Sequence, residues 1–238
     1  MKMHEFLIVK SFVREHIPGF EVRYKNESWV SKIIAILIWV FNREYMKSYT
    51  TTRYPCVYFP SKKFVNDNPR LATKILLHEF VHLWDRKNQG VMFTLRYLSL
   101  QWMAIPNILF ATIWVFVVQY PEWARWTFAG LGWGVGVLCL LPWPSKGRAK
   151  AEIRGYSMNM AVNYWRYGVV RQKTKDWIIE KFTGWEYYRM WPWESDVNSW
   201  LTRACAQVRY ELFGMESISG RSGRPYQLAK EMFDKNAI

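Results

Sequence analysis

The chain has 238 residues, half of them hydrophobic, and a formal net charge of +14. That length suits one or two compact units whose core needs no metal or disulfide staple. Its cysteines, Cys56, Cys139 and Cys205, are too few and too scattered for a disulfide framework or a cysteine zinc cluster, and they point to a reducing location. The positive charge fits nucleic acid or an anionic membrane surface. The 15 Trp and 14 Tyr suit membrane interfaces as well as protein cores.

The first residues, Met1 to Phe6, do not read as a secretory signal, because an acid comes early and the apolar stretch Phe6 to Val9 is short. Residues 6–30 mix apolar and charged positions irregularly and suggest a short strand or helix, then loop. The uncharged run Ile33 to Phe41 is too short to span a bilayer. It reads as a core helix, or as one lying on a membrane with Lys32, Arg43 and Lys47 toward the headgroups. Residues 49–60 are rich in Thr, Tyr and Val, which favour extended structure. Pro55 marks an edge strand or a strand end, and such an edge could pair with an extended peptide.

The chemistry-bearing stretch follows. His78-Glu79-Phe80-Val81-His82 lies in a segment of helical character. Asn68 is a candidate N-cap and Pro69 fits the first helical position. Leu71, Ile75, Leu76, Phe80, Leu83 and Trp84 recur at helical spacing. Arg86 and Lys87 place cations at the predicted C-terminal end. One turn apart, His78 and His82 share a face and can hold one metal ion. Glu79, beside that face, can reach a metal-activated water as a general base. The chain has only four histidines, so this pairing by chance is rare.

Two charge-free stretches come next, Tyr97 to Tyr120 and Trp126 to Ser145. Each is long enough to cross a hydrocarbon core of about 30 Å as a helix. Glycines 130, 132, 134 and 136 would permit close helix packing in a membrane. Trp114, Trp123, Trp126 and Trp143 suit interface anchors. Arg86, Lys87, Arg96, Lys146, Arg148, Lys150 and Arg154 crowd the outer flanks, whereas the turn holds Arg125 alone. The positive-inside rule then predicts a transmembrane hairpin with both termini cytoplasmic. Beyond it, helices are expected near 150–167, 170–182, 196–213 and 225–235, with Ser195 or Asp196 capping the third. The basic loop Ser219 to Pro225 could touch phosphate or headgroups. The predicted organisation is an N-terminal region over 1–96, the hairpin over 97–145 and a helical region over 146–238. No nucleic-acid motif is present, and no nucleic-acid partner is expected.

A catalytic zinc site takes three protein ligands and one open position. The compact extended motif would need His or Asp at position 88, where Asn88 stands. Asp85 shares the helix face of His82 and suits either third ligand or a group that orients a ligand histidine. Glu152 opens a new helix, and a hairpin between 97 and 145 would return it to the histidines. Glu152 is the favoured third ligand, with Asp85 next.

These residues resemble the zincin metallopeptidases whose third ligand is a downstream glutamate, and distantly the membrane-embedded Ste24/HtpX-like group. His78-Glu79-Phe80-Val81-His82 matches the first motif. Glu152 with Gly155 in the small-residue place looks like the second, and Tyr156 stands where that family carries Asp. The resemblance covers roughly residues 56–165. It implies a mainly α fold with a small edge sheet, a zincin-like metallopeptidase core and an inserted transmembrane hairpin. It also implies Zn2+ on His78, His82 and Glu152, with Glu79 as the catalytic base and Tyr156 or Arg154 as an oxyanion donor. The expected function is a membrane-anchored zinc metalloendopeptidase acting on the cytoplasmic side, with peptide substrates and the lipid bilayer as partners. The competing reading is a non-enzymatic basic membrane protein with a structural metal site that binds lipids or protein partners.

Overall fold

The computed structural model describes residues 2–37, 43–117, 119–141, 143–184, 189–209 and 223–236. Most of the basic loop at 219–225 and the end of the 33–41 apolar run lie outside them. The N-terminal segment forms α1 (Lys2–His16), then strand β1 (Glu21–Tyr24) and α2 (Trp29–Leu37). Strands β2 (Thr51–Arg53) and β3 (Cys56–Phe59) flank a turn that contains a cis Tyr54–Pro55 bond. The sheet order is β1-β3-β2, with β1 parallel and β2 antiparallel to β3. β2 is thus an edge strand, as the composition around Pro55 suggests. The central β3 is buried along its length. Val57 and Phe59 alternate onto one face and enter the main core with Phe6, Phe12 and Phe80.

After α3 (Lys62–Asp67) comes α4 (Pro69–Gln89), which carries both motif histidines. Pro69 occupies the first turn as predicted, because its missing N–H would have had no helical partner there. The Asn68 side chain, by contrast, makes no capping hydrogen bond. Gly90, at φ 56°, ends α4. Leu76, Leu77, Phe80, Val81 and Leu83 are fully buried, whereas Leu71 faces solvent. α4 packs on α1 through Phe12 and Phe80 and on α8 (Lys146–Tyr167). α9 (Gln172–Thr183), α10 (Glu194–Arg209) and α11 (Arg224–Asn236) complete the helical layer.

The region between α4 and α8 corrects the membrane expectation. The apolar run starting at Tyr97 is not one helix. α5 (Val91–Leu98) ends at Ser99, whose φ of 53° is left-handed, and a 3-10 turn leads into α6 (Ala104–Val117). The segments Val91–Leu98 and Gln101–Val117 meet at 101°. With 14 residues, α6 is about 21 Å long, short of a hydrocarbon core of about 30 Å. α7 (Glu122–Leu140) is longer, but it opens with Glu122 and Arg125, and glycines and tryptophans dilute its apolar content. Among the described residues no single helix is long and apolar enough to cross a membrane, although the bent pair passes that test together. The transmembrane hairpin, the multi-pass localisation and the bilayer as partner are overturned with it. So is the membrane anchoring that both functional readings shared.

A helical hairpin does form. α6 and α7 pack together, and Gly132 and Gly136 are the reason they approach closely. A Cβ on Gly132 would lie 2.6 Å from Ala111 Cβ, and one on Gly136 would lie 2.5 Å from Ile108 Cγ1. Gly130 and Gly134 face away, with nothing within 4 Å.

Directly after β1, Lys25 is wholly buried. Its Nζ donates to the Tyr45 carbonyl at 2.8 Å and sits 3.5 Å from the Tyr45 ring centre. Burial pushes its pKa down to about 7, with the Glu79 charge opposing and Arg53 assisting. The unfolded chain binds the Lys25 proton more readily than the folded one. This group therefore makes stability rise with pH between about 7 and 10.5, by about 1.4 kcal/mol per unit, and its full penalty holds below that window. Lys25→Met should flatten the rise when urea midpoints are compared at neutral and mildly alkaline pH.

Candidate metal centre

Two helices supply the centre. The one-turn spacing in α4 aims both imidazoles at α8, and the crossing of α4 and α8 brings Glu152 to them across 74 residues. His78 Nε2 lies 3.0 Å from His82 Nε2 and 3.2 Å from Glu152 Oε2. The third side of the triangle, His82 Nε2 to Glu152 Oε2, is 3.7 Å. All three residues are buried.

These spacings test whether a metal fits. A tetrahedral ion with bonds of about 2.0–2.1 Å spaces its ligand atoms by about 3.3 Å. The triangle brackets that value, and its donors are the imidazole and carboxylate groups that zinc accepts. The cluster can chelate a metal ion. Its electrostatics also suit a cation. Burial alone would push the Glu152 carboxyl up, but the His82 charge and hydrogen bonds from His78 and His82 hold it well below the usual carboxylate range. Burial opposes charge on His82, and Glu152 outweighs it to raise the imidazole pKa.

The surrounding side chains hold the triangle in place. Tyr97 on α5 donates to Glu152 Oε1 at 2.5 Å, leaving Oε2 for the histidines. Burial first, then the Glu152 charge, push the Tyr97 phenol well up, so it stays a donor. Gly155 lies under His78, where a Cβ would come within 2.4 Å of the ring. The small-residue place of the second motif thus has a local cause, since the imidazole occupies the space a side chain would need. Tyr156 turns its ring edge-on to His78, with centroids 5.0 Å apart, and packs against Phe182.

Glu79 borders the cluster. It is half-buried, and its charge raises the pKa of both His82 and Tyr97. Thr52 Oγ1 on β2 donates to Glu79 Oε2 at 2.6 Å. The edge strand is therefore tied directly to the motif glutamate.

Asp85 and Arg154 are engaged elsewhere. Arg154 Nε and Nη2 donate to Asp85 Oδ2 and Oδ1, both at 2.9 Å, in a buried bidentate pair. Asp85 is thus drawn away from the third-ligand position that made it the alternative to Glu152. Arg154 is 2 % exposed and serves this pair rather than an oxyanion. No family model, curated protein or solved structure matches the chain. The zincin resemblance is thus a likeness of motif and metal cluster without relatives behind it.

Sequence reasoning missed Thr52, Tyr97 and Asn159 of α8, whose amide nitrogen is 3.5 Å from His78 Nδ1. Thr52 sat in a flagged edge segment, yet nothing in its neighbours marked it out. Tyr97 looked like the start of an apolar run. Asn159 falls two turns after Glu152, a spacing that puts it on the same helix face.

Proposed function

We propose that this chain is a zinc-dependent hydrolase of peptide bonds, with His78, His82 and Glu152 as ligands and Glu79 as general base. The observation that carries the reading is the buried His78–His82–Glu152 triangle beside a glutamate that a neighbouring strand orients. A zinc ion there would polarise a carbonyl and lower the pKa of water. Glu79 accepts the proton of the attacking water and returns it to the leaving amine. Thr52 holds Glu79 Oε2, which leaves Oε1 to take that proton. Tyr97 keeps Glu152 from turning away from the histidines. The position of β2 at the sheet edge supports an extended peptide as substrate, because main-chain groups there can pair with a strand laid beside Glu79.

The test is elemental analysis of the purified chain together with cleavage of a mixed peptide library. One zinc per chain is expected, with cleavage lost to a strong chelator and restored by zinc. Folded protein that takes up no metal when zinc is supplied would overturn the reading. Metal uptake with no cleavage of any peptide would leave a structural ion and remove the hydrolase.

A further inference from the structure

The ring nitrogens turned away from the triangle differ between the two histidines. His82 Nδ1 has no hydrogen-bond partner among the described residues. His78 Nδ1 faces the carboxamide of Asn159, whose nitrogen lies 3.5 Å away. The Asn159 oxygen is itself buried and without a partner among the described residues.

A histidine that binds metal through Nε2 carries its proton on Nδ1, and that N–H needs an acceptor. An amide nitrogen cannot supply one, because it is also a donor. The carboxamide is nearly symmetric in outline, so half a turn about its terminal bond exchanges oxygen and nitrogen within the same space. That turn satisfies two groups together. His78 Nδ1–H gains an acceptor, and the orphaned Asn159 oxygen gains a donor. In the opposite arrangement the amide nitrogen would donate to an unprotonated Nδ1, forcing the proton onto Nε2, where it would block the metal.

We propose that Asn159 is a positioning residue of the metal centre, accepting the His78 Nδ1–H bond and so selecting the tautomer whose Nε2 is free to bind the ion. It lies on the face of α8 that carries Glu152, so one helix supplies both a ligand and the group that orients another ligand. The inference rests on the metal reading above.

The experiment measures zinc affinity by chelator competition for the wild type, Asn159→Ala and Asn159→Asp, with histidine 15N spectra of the zinc-loaded proteins. Asn159→Ala should bind zinc about 10–100-fold more weakly. Asn159→Asp, which keeps an acceptor, should bind at least as tightly as the wild type. The wild-type spectrum should show a slowly exchanging Nδ1 proton on His78 that Asn159→Ala loses. Unchanged affinity and spectrum in Asn159→Ala, beside a zinc-binding wild type, would overturn this inference alone. Should the alanine variant fail to fold, weaker binding by Asn159→Asp would overturn it as well. A wild type that takes up no zinc would overturn the metal reading and this inference with it.

Discussion

Glu79→Gln should leave zinc bound and lower peptide hydrolysis by about 10²–10⁴-fold, the range that general-base catalysis supplies. Glutamine keeps the size of the side chain and can still accept from Thr52 Oγ1, which now bonds Glu79 Oε2 at 2.6 Å. It cannot take a proton at neutral pH. Glu79 is one residue from His78 but is not in the cluster that could hold the ion, so zinc stoichiometry should stay at the wild-type value. Paired measurements of bound zinc and turnover decide the matter. Loss of zinc together with turnover would make Glu79 a structural support of the site. Full turnover with zinc in place would remove Glu79 from the chemistry. Thr52→Val should weaken turnover in the same direction but less, since it removes an orienting bond and leaves the base.

Asp85→Ala should destabilise the fold by about 3–5 kcal/mol, among the largest effects a single substitution here can have. Arg154 is 2 % exposed and would keep its charge in the interior without the carboxylate that now meets it at two nitrogens. The pair also spans α4 and α8, the two helices that carry the donor triangle. Asp85 follows His82 by three residues and Arg154 follows Glu152 by two. Tyr226 of α11 adds a bond from its hydroxyl to the Arg154 carbonyl at 2.7 Å. Denaturant midpoints of the metal-free protein should therefore fall sharply. The double variant Asp85→Ala/Arg154→Met should recover much of the loss, because it removes the stranded charge as well. A midpoint unchanged in Asp85→Ala would show that the pair adds nothing. Normal metal-free stability with zinc lost would instead return Asp85 to the ligands.

The C-terminal half of the fold was plain in the chain. Helices expected near 150–167, 170–182, 196–213 and 225–235 correspond to Lys146–Tyr167, Gln172–Thr183, Glu194–Arg209 and Arg224–Asn236, with residues 210–213 of the third outside the described ones. Glu194 opens the third, slightly ahead of the Ser195 or Asp196 cap expected for it. These elements declare themselves because apolar residues repeat at helical spacing and Gly168 and Gly184 stand at the breaks. The region 6–30 was harder. α1 runs Lys2–His16 with charged residues scattered around it, so its period is blurred.

In α7 the membrane expectation failed on apolar content itself, but in the first stretch it failed for a physical reason that a hydropathy window does not sense. Residues 97–117 carry no charge and are mostly apolar, yet the chain turns by 101° after Leu98. Tyr97 packs toward Glu152 at that turn, and the helix axis then starts afresh. Apolar content measures what a segment avoids. It does not report whether the segment is straight.

For the metal centre, the pairing of His78 with His82 follows from local chain geometry alone, because a helix places residues four apart on one face whatever surrounds it. The choice of Glu152 over Asp85 does not. Both carboxylates were within reach on paper, and the crossing of α4 over α8 sends Asp85 to Arg154 and Glu152 to the imidazoles. Thr52, Tyr97 and Asn159 belong with that second kind of knowledge. Each comes from a different element and meets the centre through a contact far off in sequence. Spacing along one helix is set by backbone hydrogen bonds between near neighbours. Contacts between elements are set by how their buried faces pack, and no short motif encodes that.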